Sequence, residues 1–181
     1  MNTFEYIRKK ADGFVRFAKL ERILATLLAF IPLILYIADH GSEGFKSSIS
    51  AYAYMKNNPQ TYPILLTMAS MLFIVNGVIK NKKWYNTALG LVLLGVVIFP
   101  CKEFATLHYI MAILFFGGSS VVIVKYTSKE QRWVKIGIVI LITTSIALYK
   151  VFGIISLLTA EWISLGIISF HYIMESLGKW D

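Results

Sequence analysis

The sequence predicts an all-α integral membrane protein, a bundle of six transmembrane helices with both termini in the cytoplasm. Hydrophobic residues make up 57% of its 181 residues and charged residues only 15%, whereas soluble domains carry about 25% charged residues. The mean hydropathy of +0.66 agrees, and the apolar residues fall into six runs close to the roughly 20 residues that cross a bilayer. The composition excludes a soluble domain and a disordered chain, and the single cysteine excludes a disulfide scaffold.

The six apolar runs define the predicted helices in order. They cover residues 23–38, 62–79, 84–99, 105–126, 133–149 and 154–174. Long apolar runs without strict alternation favour helices over the strands of a membrane barrel. Between the last two runs only Lys150 and Gly153 interrupt the apolar sequence, and we predict a helical hairpin there.

The placement of lysine and arginine predicts the orientation. Most of the 18 basic residues precede the first run, follow the second, follow the fourth or lie in the tail. The other side carries Lys46, Lys56, Lys102 and Lys150. Because basic residues concentrate in cytoplasmic segments, we expect a multi-pass protein of the cell membrane. We expect the basic flanks to attract anionic lipid headgroups on the cytoplasmic side, and we interpret the net charge of +8 in this way, with no nucleic acid as partner.

Two segments flank the first run. Apolar residues recur at helical spacing among basic ones within 1–21, which predicts an amphipathic helix in the cytoplasmic interface; the alternative is that this segment continues the first span. We expect no cleavable signal peptide, and residues 22–181 form the predicted transmembrane domain. The outer loop 39–61 is long enough to carry structure or function.

Ionisable residues in and beside the spans suggest a site near the outer leaflet, because each is costly in hydrocarbon. Asp39 and His40 end the first span on that side. His108 and Glu161 lie within the outer halves of the fourth and sixth spans. Glu161 needs a proton or a partner there, with His108 or Lys150 as the candidates. A ligand site and a contact that only ties helices together both remain open.

A metal site is conceivable, since His108, Glu161 and Asp39, with His40, are acceptable zinc ligands. No recognised ligand spacing connects them, and the sequence contains no nucleophile elbow, phosphate loop or dinucleotide motif. The catalytic residues, metal, cofactor and oligomeric state therefore stay open. His171 and Glu175 are one helical turn apart, and we predict a helix-end contact between them rather than a catalytic dyad.

Two short motifs resemble those of a known superfamily. The outer loop contains Ser48-Ile49-Ser50, and Phe99-Pro100 is followed by His108 in the fourth span. With six spans, this arrangement resembles the superfamily of the DRAM autophagy modulators, the GPI-anchor-remodelling membrane proteins and related bacterial families of unknown function. Ala51 stands where an acidic residue often follows the second serine.

The resemblance implies that loop residues 48–52 pack over His108, and over Glu161 as well. It adds three loop residues to the ionisable ones. The candidate polar cluster is then Asp39, His40, Ser48, Ser50, Tyr52, His108 and Glu161.

Three functions are compatible with this cluster. The first is a lipid-binding or lipid-handling accessory protein with membrane lipids as partners, which the lack of a convincing nucleophile favours. The second is an intramembrane hydrolase or transferase acting on a lipid headgroup, with His108 as base or metal ligand and Glu161 and Asp39 in support. A small transporter is the third, and the absence of inverted repeats or a polar run through the membrane speaks against it.

Overall fold

The computed structural model describes residues 3–40, 44–79 and 83–180, with side chains from Ala18 onward. Each predicted run forms one α-helix, and the predicted all-α fold with six helices is confirmed. The helices are α1 (Thr3–Ala38), α2 (Thr61–Ile79), α3 (Trp84–Ile98), α4 (Ala105–Lys125), α5 (Arg132–Lys150) and α6 (Leu157–Ser176). A short 3-10 helix, Ser50–Tyr54, lies between α1 and α2.

The first helix extends far beyond the apolar run that predicted it. α1 is continuous over Thr3–Ala38, so the backbone shows no break at the expected boundary between 1–21 and the transmembrane domain. A continuous helix is compatible with both an interfacial helix and a continuation of the first span. The position of 1–21 in a membrane interface stays a prediction.

Five of the helices are long and apolar enough to cross a membrane. α3 is the exception: its 15 residues correspond to about 22 Å of helix, less than the roughly 30 Å of a hydrocarbon core. Large apolar side chains point away from the bundle, among them Trp133 (80% exposed) and Ile113 (70% exposed). A continuous apolar exterior of this kind is typical of a surface that contacts lipid or a partner.

The helices run alternately up and down, so their connections define two ends. The loop end is where α1, α3 and α5 finish and α2, α4 and α6 begin; the terminal end is the opposite one. α2 and α3 pack most closely, because a Cβ at Gly77 or Gly90 would lie within 2.7 Å of the facing helix. α1 packs along α6, where the Ser169 hydroxyl donates to the Ala25 carbonyl oxygen at 2.6 Å.

α4 and α5 are the least enclosed helices. Only 22% of the residues in their apolar windows are buried, against 39–44% for α1, α2 and α6. α4 packs on α3 and only loosely on α5 and α6. A gap therefore remains between α4 and the α5–α6 pair, and it positions the candidate site.

Candidate functional site

Residues 44–60 fold over the loop end as an ordered segment. The Ser48 hydroxyl accepts the Ala51 amide at 3.1 Å, which starts the 3-10 helix. Tyr52 is completely buried, and burial raises the pKa of its phenol. Tyr54 donates to the Glu103 carboxylate at 2.6 Å. Burial and this hydrogen bond raise the pKa of Tyr54 to about 12, so its hydroxyl remains a donor at neutral pH.

Glu161 attaches this segment to α6. The Ile49 amide donates to Glu161 Oε2 at 2.7 Å, and the Leu158 amide donates to the Ser47 carbonyl oxygen at 3.0 Å. The prediction that His108 or Lys150 is the partner of Glu161 is therefore wrong, because the partner is a backbone amide. The contact between the loop and Glu161 that the motifs implied is present.

His108 is 2% exposed and held in one orientation. Its Nδ1 lies 2.8 Å from the carbonyl oxygen of Phe99. A carbonyl can only accept, so Nδ1 carries the proton, and in the neutral ring Nε2 is the acceptor. The Phe99-Pro100 connection thus fixes the tautomer of the histidine that follows it.

His108 and Glu161 line two adjoining cavities. The larger, of about 360 Å³, is the lateral cleft between α4, α5 and α6. Its wall includes Ser50, His108, Ile113, Gly117, Tyr149 and Glu161. The smaller, of about 50 Å³, extends from the same two polar side chains inward between α1, α2, α3 and α4. Polar groups thus occupy the inner wall of a mostly apolar space.

The lateral cleft opens on the exterior of the bundle. Ile113 and Tyr109 of α4 and Ile146 of α5 line it, and they are 70%, 56% and 41% exposed. A Cβ built on Gly117 meets no atom within 4 Å, which shows how wide the gap is at this point of α4. The apolar outer surface therefore continues inward to His108 and Glu161.

The predicted polar cluster divides in the structure. Ser48, Ser50, His108 and Glu161 line the lateral cleft. Asp39, His40 and Tyr52 are not among its described lining residues. Asp39 is 1% exposed, and its Oδ2 lies 3.3 Å from Lys46 Nζ.

The remaining candidate, His40, is exposed with a positive φ of 57°. Within the described ranges, no three His, Cys, Asp or Glu side chains come close enough to hold a metal ion together. The zinc-ligand hypothesis therefore gains no supporting geometry from the residues that suggested it.

A charged cluster at the terminal end was missed by the sequence analysis. Lys83 Nζ lies 3.0 Å from Glu21 Oε1 and also pairs with the Glu175 carboxylate. The three side chains are only 12%, 1% and 11% exposed. The predicted contact between His171 and Glu175 is present, with 4.0 Å between Nε2 and Oε2. It belongs to this larger cluster, which connects α1 and α6 with the residue preceding α3.

A chain of buried hydrogen bonds lies near this cluster. The Asn86 amide nitrogen donates to Asn76 Oδ1 at 2.7 Å, and the Tyr172 hydroxyl donates to Asn86 Oδ1 at 2.9 Å. All three side chains are buried, and they join α2, α3 and α6. The sequence signal for these hydrogen bonds was the presence of two asparagines inside apolar runs, because polar side chains in such helices tend to bond across helices.

One protein-family model matches most of the chain. The model of a family of unknown function, DUF7103, matches residues 30–176. The chain belongs to this family. The DUF7103 region includes α2 to α6 and the whole lateral cleft. No curated protein and no solved structure matches the chain.

The bond between Glu161 and Ile49 can be tested by replacing the acceptor. We predict that Glu161→Ala increases amide hydrogen exchange in residues 47–52 by about tenfold or more, because a hydrogen bond to a charged group contributes about 1.5–3 kcal/mol. Glu161→Gln retains an oxygen that accepts the Ile49 amide and should lie between the wild type and Glu161→Ala, because a bond to a neutral acceptor contributes about 0.5–1.5 kcal/mol. Mass spectrometry on the protein in nanodiscs measures this exchange in the wild type and in both variants. Equal protection in wild type and Glu161→Ala would show that the bond does not hold the segment.

The terminal cluster makes a prediction about stability. Lys83→Met leaves two buried carboxylates without their cation, and breaking a buried ion pair from one side costs about 3–5 kcal/mol. We expect a clearly lower unfolding midpoint in detergent. Lys129→Met is the matched control, because it removes one positive charge from an exposed position at the same end. Equal shifts in the two variants would contradict a stabilising role for the cluster.

Proposed function

We propose that this chain is a multi-pass membrane protein that binds a lipid in its lateral cleft, as an accessory protein of lipid handling. The observation that carries the proposal is the continuity of the cleft. Exposed apolar side chains of α4 and α5 line the same cavity as Glu161 and His108. Ligand sites are commonly apolar spaces with a few convergent polar groups, and an opening on the apolar exterior suits a ligand that arrives from the bilayer.

The proposal includes a topology. All six helices cross the cell membrane, the termini lie in the cytoplasm, and the loop end faces outward. The distribution of basic residues supports this orientation. The shortness of α3 is compatible with a crossing, because bilayers thin locally around short spans at modest cost.

The two parts of the cleft suit the two parts of a lipid. The acyl chain lies against Ile113 and Ile146, where α4 and α5 are apart. The polar group lies at the loop end, within reach of Ser50, His108 and Glu161, which share one cavity wall. The ordered segment 44–60 covers this wall and separates it from water.

A second function has a specific observation in its favour. The bond from His108 Nδ1 to Phe99 makes Nε2 an acceptor, as a general base requires. His108 shares the cleft with Ser50 and Glu161, so an intramembrane hydrolase or transferase acting on a lipid headgroup is the alternative. A relationship to the DRAM-like superfamily is part of the main proposal, and the contact of the Ser48-Ile49-Ser50 loop with Glu161 supports it.

The single cysteine provides a test of the topology. Cys101 lies at the loop end, between α3 and α4, and is partly exposed. We predict that a membrane-impermeant maleimide labels it in intact cells. A Cys101→Ser, Lys129→Cys variant, with its thiol at the terminal end, should react only after permeabilisation. The reverse pattern would overturn the proposed orientation.

Filling the cleft tests lipid binding. We expect protein purified in mild detergent to retain a lipid of defined mass in native mass spectrometry. Gly117→Leu should reduce the retained fraction about tenfold, because the new side chain occupies the cleft without meeting protein atoms at its Cβ, and about 1.4 kcal/mol of lost affinity suffices for that.

Gly137→Leu is the matched control, since its Cβ also meets open space and Gly137 is outside the described wall of the cleft. Equal retention in both variants, or no lipid in the wild type, would refute the site. Detection of a cleaved or transferred headgroup, lost in His108→Gln, would favour the alternative.

A further inference from the structure

The charges around the lateral cleft are unequal. Among the described residues that line it, Glu161 is the only carboxyl group, and neither lysine nor arginine is present. Two basic side chains of the loop end are engaged elsewhere. Lys46 pairs with Asp39 at 3.3 Å, and Lys102 Nζ lies 4.2 Å from the centre of the Tyr54 ring. An anionic headgroup inside the cleft would therefore meet the Glu161 carboxyl group on a wall that offers no cation, since Lys150 lies outside the described lining.

Two polar side chains of the inner wall, Glu161 and His108, present hydrogen-bond acceptors to the cleft. Glu161 offers two oxygens with about four lone-pair sites, of which the Ile49 amide uses one. His108 Nδ1 donates to Phe99, so the acceptor Nε2 remains. The Ser164 hydroxyl already donates to the Ala160 carbonyl oxygen at 2.8 Å. This inner part of the wall is therefore complementary to a ligand that donates hydrogen bonds, whereas the hydroxyls of Ser48, Ser50, Tyr109 and Tyr149 elsewhere in the lining can donate or accept.

From the lack of a cation in the wall and the acceptors on Glu161 and His108 we infer that the cleft selects a lipid whose polar group donates hydrogen bonds and carries no negative charge. Hydroxyl-bearing glycerides and long-chain amines share this chemistry, whereas fatty acids and phosphate-bearing lipids do not. Glu161 is the specificity-determining residue, because its carboxylate accepts from a hydroxyl or ammonium and repels a carboxylate or phosphate. The inference rests on the proposed function and specifies its ligand.

A competition experiment tests the selection with four probes that share one oleoyl-length chain. The probes are monooleoylglycerol, oleylamine, oleate and oleoyl lysophosphatidic acid, each measured by native mass spectrometry on the full-length protein in detergent. Because the chain is constant, differences in affinity report on the polar group. We expect monooleoylglycerol and oleylamine to bind about tenfold or more tighter than the two anionic probes, as one charge-assisted hydrogen bond would provide.

The Glu161→Gln variant separates charge from hydrogen bonding. It should weaken oleylamine about tenfold while changing monooleoylglycerol by about threefold or less, because the amide keeps an acceptor but loses the charge. The wild-type ranking needs no variant, so it tests the inference even if Glu161→Gln is unstable.

The possible outcomes separate a failure of the inference from a failure of the proposed function. If oleate or lysophosphatidic acid binds tightest and Gly117→Leu abolishes that binding, the cleft is a lipid site and the inference about its selectivity is wrong. Lys150, which is exposed at the end of α5 next to the cleft residue Tyr149, would then be the cation to examine. If none of the probes binds, the proposed function and the inference fail together.

Discussion

A polar group placed between apolar helices must find its partner inside the protein, because hydrocarbon offers none. This constraint explains why a backbone amide in the loop, Ile49, bonds to a carboxylate on the last helix. The pairing of Glu161 with Ile49 has two consequences: it fixes the segment 44–60 over the loop end, and it places that segment beside the lateral cleft. The same side chain thus bonds to the segment 44–60 and lines the lateral cleft.

The helices could be predicted from the sequence because apolar length alone specifies them. The starts of α2 and α4 lie within one residue of the predicted runs, and the end of α6 within two. α1 begins well before the predicted run 23–38, because helix propensity continues through the basic residues of 1–21. The short α3 also follows the sequence, since its apolar run is bounded by lysines on one side and by Pro100 on the other.

The polar contacts were harder to predict, for reasons visible in particular residues. The sequence suggested a proton for Glu161, or His108 or Lys150 as its partner, but every residue except proline carries a backbone N–H, so no sequence pattern marks Ile49 as the donor. Lys83 was interpreted as a topology determinant, and only the convergence of α1 and α6 on the residue before α3 reveals its two carboxylates. The division of the predicted cluster into a group around Asp39 and a group around His108 likewise depends on the path of the loop.

The two ends of the bundle satisfy buried charge differently, and this difference distinguishes a structural cluster from a site. At the terminal end, Glu21 and Glu175 both contact the Lys83 ammonium directly, so each of these carboxyl groups has a cation beside it within the protein. At the loop end, Glu161 is bonded to a neutral amide, which provides a donor but no countercharge. A helix-tying contact needs no adjoining cavity, yet Glu161 and His108 border about 360 Å³ of space that opens on the apolar exterior. The unbalanced carboxylate and the open space beside it together favour a ligand as the missing partner.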